Sequence, residues 1–147
     1  MKPEFRLIIA GTRTFNDFNF LVKECDDALI DVAQKYNITI VSGKARGADE
    51  LGEQYAKLRK YKIAEFPADW SNINAIPCKV KYRKDGTSYN ALAGLNRNIQ
   101  MAIYASQADY CGCLAFWDEK STGTRHMIDT SKKYNIKCII KKYERRF

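Results

Sequence analysis

A chain of 147 residues is long enough for one domain with a genuine core, and its composition, 46% apolar and 29% charged, argues against wholesale disorder. No apolar run approaches the ~20 residues of a membrane span, and Met1-Lys2-Pro3-Glu4 leads straight into a strand with no signal-peptide layout, so a soluble, cytoplasmic protein is expected. A net charge of +8 suits a polyanion, either nucleic acid or a phosphorylated small ligand, without choosing between them.

Phe5 to Ala10 reads as a first strand that stops at Gly11-Thr12-Arg13. A helix is predicted from Asn16 or Asp17, with Leu21, Cys25, Ala28, Leu29, Val32 and Tyr36 on one face. The β-branched run Ile38, Thr39, Ile40, Val41 is a strand buried on both faces. It runs into the small, basic turn Ser42-Gly43-Lys44-Ala45-Arg46-Gly47 and then a helix from Ala48, with Asp49 and Glu50 in its first turn. Strand, Gly-rich turn and helix are how α/β proteins present N–H groups to an anion. The stripe expected on this helix is Ala48, Leu51, Tyr55 and Leu58.

A short strand, Ile63 to Phe66, breaks at Pro67. The irregular excursion at about 67–90 reads as a solvated loop with a small hairpin, and its Lys79, Lys81, Arg83 and Lys84 beside Tyr82 and Tyr89 could alternatively grip single-stranded nucleic acid. A third helix is predicted over Ala91 to Ser106 with Leu95, Ile99, Ala102 and Ile103 facing the core. The fourth strand is Tyr110 to Phe116, a final helix opens at Ser121 to Thr124 and runs to Tyr134, and the last strand is Ile136 to Ile140. The tail, Lys141 to Phe147, is basic and expected on the surface.

Five strands alternating with four helices predict one Rossmann-like α/β domain over 1–147, a doubly wound, mainly parallel sheet in the order 3-2-1-4-5. Ligands bind at the carboxyl ends of strands where that order reverses. The turns at Gly11-Thr12-Arg13, Ser42 to Gly47 and Asp118 to Thr124 should therefore converge on one rim. Gly43-x-x-x-Gly47 lacks the end of a P-loop, and no G-x-G-x-x-G occurs. What the rim offers is glycines for close approach, the hydroxyls of Ser42, Ser121, Thr122 and Thr124, two helix N-termini, and Arg13, Arg46 and Arg97 as phosphate forks. Each alone is more often a turn residue or a solvated charge; jointly they favour phosphate.

Asp49 and Asp118 are the carboxylates available for proton transfer or ribose binding, although an Asp at a helix start is more often a cap. Trp117 could stack a base. One histidine, His126, supplies little for triad or metal chemistry. The five cysteines (Cys25, Cys78, Cys111, Cys113 and Cys138) show no C-x-x-C pair and read as free thiols, so no metal site is expected.

Gly11-Thr12-Arg13, Ser42-Gly43-Lys44-Ala45-Arg46-Gly47-Ala48-Asp49, Phe66-Pro67-Ala68-Asp69-Trp70, Ala93-Gly94-Leu95-Asn96-Arg97-Asn98-x-x-Met101 and Gly123-Thr124 resemble, in order along nearly the whole chain, the YspA/YpsA-related branch of the SLOG superfamily. The resemblance implies a fold that binds nucleotides or nucleotide-derived ligands, related to the LOG phosphoribohydrolases and to the DNA-processing protein DprA. Together, the rim chemistry and the resemblance make Gly11, Thr12, Arg13, Ser42, Gly43, Arg46, Gly47, Asp49, Arg97, Asn98, Trp117, Ser121, Thr122, Gly123 and Thr124 the expected ligand contacts, and the rim chemistry makes Asp49 and Asp118 the candidate catalysts. The LOG motif P-G-G-x-G-T-x-x-E is only partly present: Gly123-Thr124 remains, and Met127 stands where the catalytic glutamate would be. A thioether moves no proton.

Three functions follow in rank order: a sensing or sequestering module for a nucleotide-derived ligand, a hydrolase of N-glycosidic or phosphate bonds using Asp49 or Asp118, and a DprA-like single-strand binder using Lys79, Lys81, Arg83 and Lys84. No further cofactor is expected, and a homo-oligomer is left open.

Overall fold

The structure is a computed structural model that describes residues 2–143. Its elements are β1 (Glu4–Gly11), α1 (Phe18–Leu29), β2 (Asn37–Ser42), α2 (Ala48–Arg59), β3 (Lys62–Glu65), β4 (Val80–Tyr82), β5 (Ser88–Asn90), α3 (Ala93–Ser106), β6 (Tyr110–Trp117), α4 (Thr122–Lys133) and β7 (Cys138–Lys142). Five strands form one parallel sheet in the order β3-β2-β1-β6-β7. That is the predicted order with the hairpin strands β4 and β5 set apart as a two-stranded antiparallel ribbon.

Alternation along β1 explains the layering. Leu7 and Ile9 face one way, packing with Ile40, Leu114 and Phe116 against Leu21, Cys25 and Leu29 of α1 and Tyr55 and Ala56 of α2. Ile8 and Ala10 face the other way, packing with Val41 and Cys113 against Met101, Ala102 and Ala105 of α3 and Met127 of α4. A strand covered on both faces needs apolar residues at consecutive positions, which is why β1 and β2 carry unbroken aliphatic runs.

Several faces differ from the helical stripes expected. On α2, Leu58 is 52% exposed, whereas Ala48, Asp49, Gly52, Glu53, Tyr55 and Ala56 are buried. The helix docks through its small residues: a Cβ on Gly52 would stand 2.9 Å from Cγ2 of Ile9, so a side chain there would push α2 off the sheet. Likewise α3 buries Ala93, Asn98, Met101, Ala102 and Ala105 and leaves Ile103 at 40% exposure. Close packing selected small residues over large ones on both helices.

α1 ends at Leu29, earlier than the apolar spacing implied. Ile30, Asp31 and Val32 are weak helix formers, and the chain passes into turns that still carry Val32 and Tyr36 onto the core. The last strand is shifted to Cys138–Lys142, because pairing with β6 starts at Cys113 opposite Cys138 and ends at Trp117 opposite Lys142. Lys141 and Lys142 of the expected tail are thus strand residues, and Tyr143 packs edge-on against Phe15 with ring centroids 4.9 Å apart. Residues 144–147 lie outside the described residues. All five cysteines are free thiols, Cys25 and Cys113 buried and the others partly so. No helix is long and apolar enough to cross a membrane among the described residues.

Candidate functional site

Thr12 joins the three turns at the carboxyl ends of β1, β2 and β6. Its N–H donates to Phe116 O at 2.9 Å, its carbonyl accepts from Ala48 N at 3.4 Å at the start of α2, and its hydroxyl accepts from Asp118 N at 3.1 Å. It is buried beneath the rim, where it holds the walls rather than lining the space between them.

The turn after β2 is largely satisfied from within. Ser42 Oγ accepts from Lys44 N at 3.2 Å and donates to Glu53 Oε2 at 2.8 Å. Lys44 Nζ lies 3.0 Å from Glu53 and 3.4 Å from Glu65. Asp49 Oδ2 accepts from Ala45 N at 3.1 Å. Gly47, the N-cap of α2, has φ +78°, and a Cβ there would sit 2.4 Å from Thr12 O. Two of the N–H groups expected for an anion, those of Lys44 and Ala45, are therefore spent inside the turn.

The turn after β6 is built differently. Asp118 Oδ1 accepts from Ser121 N at 2.8 Å and Lys120 N at 2.9 Å, while the indole of Trp117 donates to Ser121 O at 3.0 Å. Burial raises the Asp118 pKa, and the Ser121 and Lys120 N–H groups with the Thr12 hydroxyl outweigh it, leaving the carboxyl below its usual range. Ser121 caps α4, its Oγ accepting from Thr124 N at 3.3 Å. The Thr122 and Gly123 N–H groups, at the head of the helix, have no intrahelical partner, and both residues line the open space.

Arg97 and Asn98 of α3 bridge these two turns. Arg97 donates from Nη1 to Gly43 O and from Nε to Asn98 Oδ1 at 3.0 Å; Asn98 Nδ2 donates to Gly123 O at 3.2 Å. Burial pulls the Arg97 pKa down while the Asp49 charge opposes it. Burial pushes Asp49 up to about 6, against the Ala45 N–H and the Arg97 charge.

Between these walls lies a cavity of about 520 Å³, within the range of small-ligand sites. Among the expected residues, Gly11, Arg13, Asp49, Arg97, Asn98, Ser121, Thr122, Gly123 and Thr124 line it. Gly43 and Arg46 instead line an adjoining groove of about 340 Å³, with Arg13 and Arg97 common to both. Thr12, Ser42, Gly47, Trp117 and Asp118 line neither; they shape the turns.

The aromatic at the site is Trp70, which lines both spaces. Its presence in the Phe66-Pro67-Ala68-Asp69-Trp70 segment was a visible signal, but nothing local says which tryptophan turns inward. Lys120 also lines the cavity, and Glu53 is buried against Ser42 and Lys44, both unforeseen; Glu53 could have been suspected from its i+4 spacing to Asp49. Among the described residues no group of three or more His, Cys, Asp or Glu could hold a metal ion.

The model of the YspA, cpYpsA-related SLOG family matches residues 5–72, which carry the first two turns and Trp70. The gene 61 protein of Mycobacterium phage D29 is 31% identical over 136 residues, covering 91% of this chain and 94% of that protein. The chain belongs to the YspA, cpYpsA-related SLOG family.

This SLOG chain also shares its fold with the DNA processing protein A (DprA) of Streptococcus pneumoniae, at a TM-score of 0.60 and 14% identity over 95% of the chain. It spans only 50% of that protein's length. In this SLOG chain Met127 is 1% exposed and forms part of the cavity floor.

Proposed function

We propose that the protein binds a nucleotide or nucleotide-derived phosphorylated ligand at the carboxyl ends of β1, β2 and β6 and acts as a sensing or sequestering module. The observation that carries this reading is the head of α4. Thr122 and Gly123, whose N–H groups have no intrahelical partner, line the same cavity as Arg13, Arg97 and Lys120. A helix N-terminus with guanidinium groups around it favours a phosphate strongly over a neutral ligand. Membership of the SLOG family supports a nucleotide as the carrier of that phosphate. Trp70, Leu95 and Met101 supply apolar surface for a base.

Titration calorimetry of the chain against adenine and guanine nucleotides and their nucleosides tests the reading. Phosphorylated ligands should bind and nucleosides should not. Gly123 is the discriminating position, because nothing lies within 4 Å of a Cβ placed there. Gly123→Asp puts a carboxylate where α4 tolerates it, so the fold should be kept or slightly stabilised while nucleotide affinity falls at least tenfold. Unaltered binding would remove α4 from the site, and a nucleotide panel with no binder would remove the reading.

A second reading rests on Asp49. It is a buried carboxyl that lines the cavity and holds its proton to about pH 6, a value suited to general acid–base catalysis near neutrality. With Met127 at the LOG glutamate position, Asp49 is the carboxyl left to protonate a departing base. Release of free base from nucleoside monophosphates, abolished by Asp49→Asn, would establish turnover; equal rates in both proteins would assign Asp49 to the turn alone.

A further inference from the structure

The strand-end cavity is not isolated. Arg13 and Trp70 line it and also line a second compartment of about 490 Å³ formed with Tyr82, Arg83, Lys84 and Tyr89 of the hairpin. The hairpin is fixed in that place. Asn90 N donates to Trp70 O at 2.6 Å, and Asn90 Oδ1, fully buried, accepts from Lys79 N at 3.1 Å and Leu92 N at 2.9 Å. Trp70 in turn lies over the first turn of α3, its Cη2 3.3 Å from a Cβ built on Gly94.

The two compartments differ in character. The first is the deeper, with Ala10, Asn98, Met101, Thr124 and Met127 all buried beneath it. The second is open and lined by cations and aromatic rings. Arg83 stacks 4.9 Å from the Tyr89 ring centroid and is tied to Thr87 Oγ1 at 3.3 Å. Tyr82 is 73% exposed, and Lys84 pairs with no carboxylate among the described residues. Exposed rings beside cations are how proteins hold a base and its flanking phosphate. Lys79 and Lys81 do not line this compartment.

We infer that the ligand is a dinucleotide: one nucleoside unit in the strand-end cavity, bridging phosphates between the head of α4 and Arg13, and a second base against the hairpin rings. This rests on the nucleotide reading above. Two compartments that meet at Arg13 and Trp70, each large enough for a nucleoside, favour a two-base ligand over a single nucleotide.

The test compares binding of adenosine monophosphate, diadenosine pyrophosphate, and single-stranded oligonucleotides of roughly ten and twenty residues. It uses the full chain and the Tyr82→Ala/Lys84→Ala variant, both substitutions being at exposed positions. The dinucleotide should bind at least tenfold more tightly than the monophosphate. The variant should lose that gain, keep the monophosphate affinity and unfold at an unchanged temperature. Monophosphate and dinucleotide binding equally would overturn the inference and leave the nucleotide reading standing. Affinity that climbs with oligonucleotide length and falls steeply with salt would overturn it in favour of a nucleic-acid track. Absence of binding by every probe would overturn both.

Discussion

Asp49 accepts a hydrogen bond from the Ala45 N–H, four residues before it, at 3.1 Å, and so closes the turn between β2 and α2 with a carboxylate that is 6% exposed. The same oxygen stands 2.8 Å from a Cβ built on Gly43, whose carbonyl accepts from Arg97. Asp49 is therefore both a strut of the turn and a wall of the cavity. Its burial, the neighbouring Glu53 charge and the opposing Arg97 and Arg13 charges set its titration.

That titration has a sign. The folded-state pKa is raised from 3.8 to about 6, so between those pH values the folded chain holds a proton that the unfolded chain has lost. Stability should fall as pH rises through this window and level off above it. Asp49→Asn removes the fall, and its stability relative to the parent should improve by on the order of 3 kcal/mol between pH 3 and pH 8. Urea unfolding of both proteins at several pH values measures this; parallel profiles would mean that Asp49 does not carry the raised pKa.

Gly47→Ala should destabilise strongly. The φ of +78° excludes an ordinary L-residue, and the new Cβ would collide with Thr12 O and Arg13 O at 2.4 and 2.5 Å. A loss of at least about 2 kcal/mol is expected, read as a lower urea midpoint with unchanged slope. A cost below 0.5 kcal/mol would show that the turn relaxes freely.

Thr12→Val keeps the shape of a buried side chain and removes the acceptor for Asp118 N. It should cost about 1–2 kcal/mol. It should also weaken nucleotide binding, because the Asp118 turn carries the head of α4. Thr12→Ser should restore both. Loss of stability without loss of affinity would separate the pin from the site.

Much of this architecture was legible from local pattern. Apolar runs in β1 and β2, flanked by turn residues and helical periodicities, were enough for a parallel sheet and its order, because a strand buried on both faces permits few other sequences. A small hairpin was expected within the 67–90 excursion, and its turn lies where Gly86 takes φ +87°. The helical faces were less so. Leu58 and Ile103 looked like core residues and are exposed, since which side of a helix meets the sheet depends on where small residues allow close approach.

By itself, then, the sequence determined the strands, their order and the meeting of three turns at the β1/β6 reversal, all consequences of residue-by-residue preference and chain connectivity. Tertiary structure alone decided which N–H groups of those turns are already taken. Ser42-Gly43-Lys44-Ala45-Arg46-Gly47 has the composition of an anion cradle, yet Ser42 and Asp49 take the Lys44 and Ala45 N–H groups, while the first turn of α4 keeps those of Thr122 and Gly123 open. Tertiary structure likewise turned Trp70 rather than Trp117 toward the cavity. Whether a donor is free, or a ring faces inward, is set by partners distant in the chain whose positions exist only once the layers have packed.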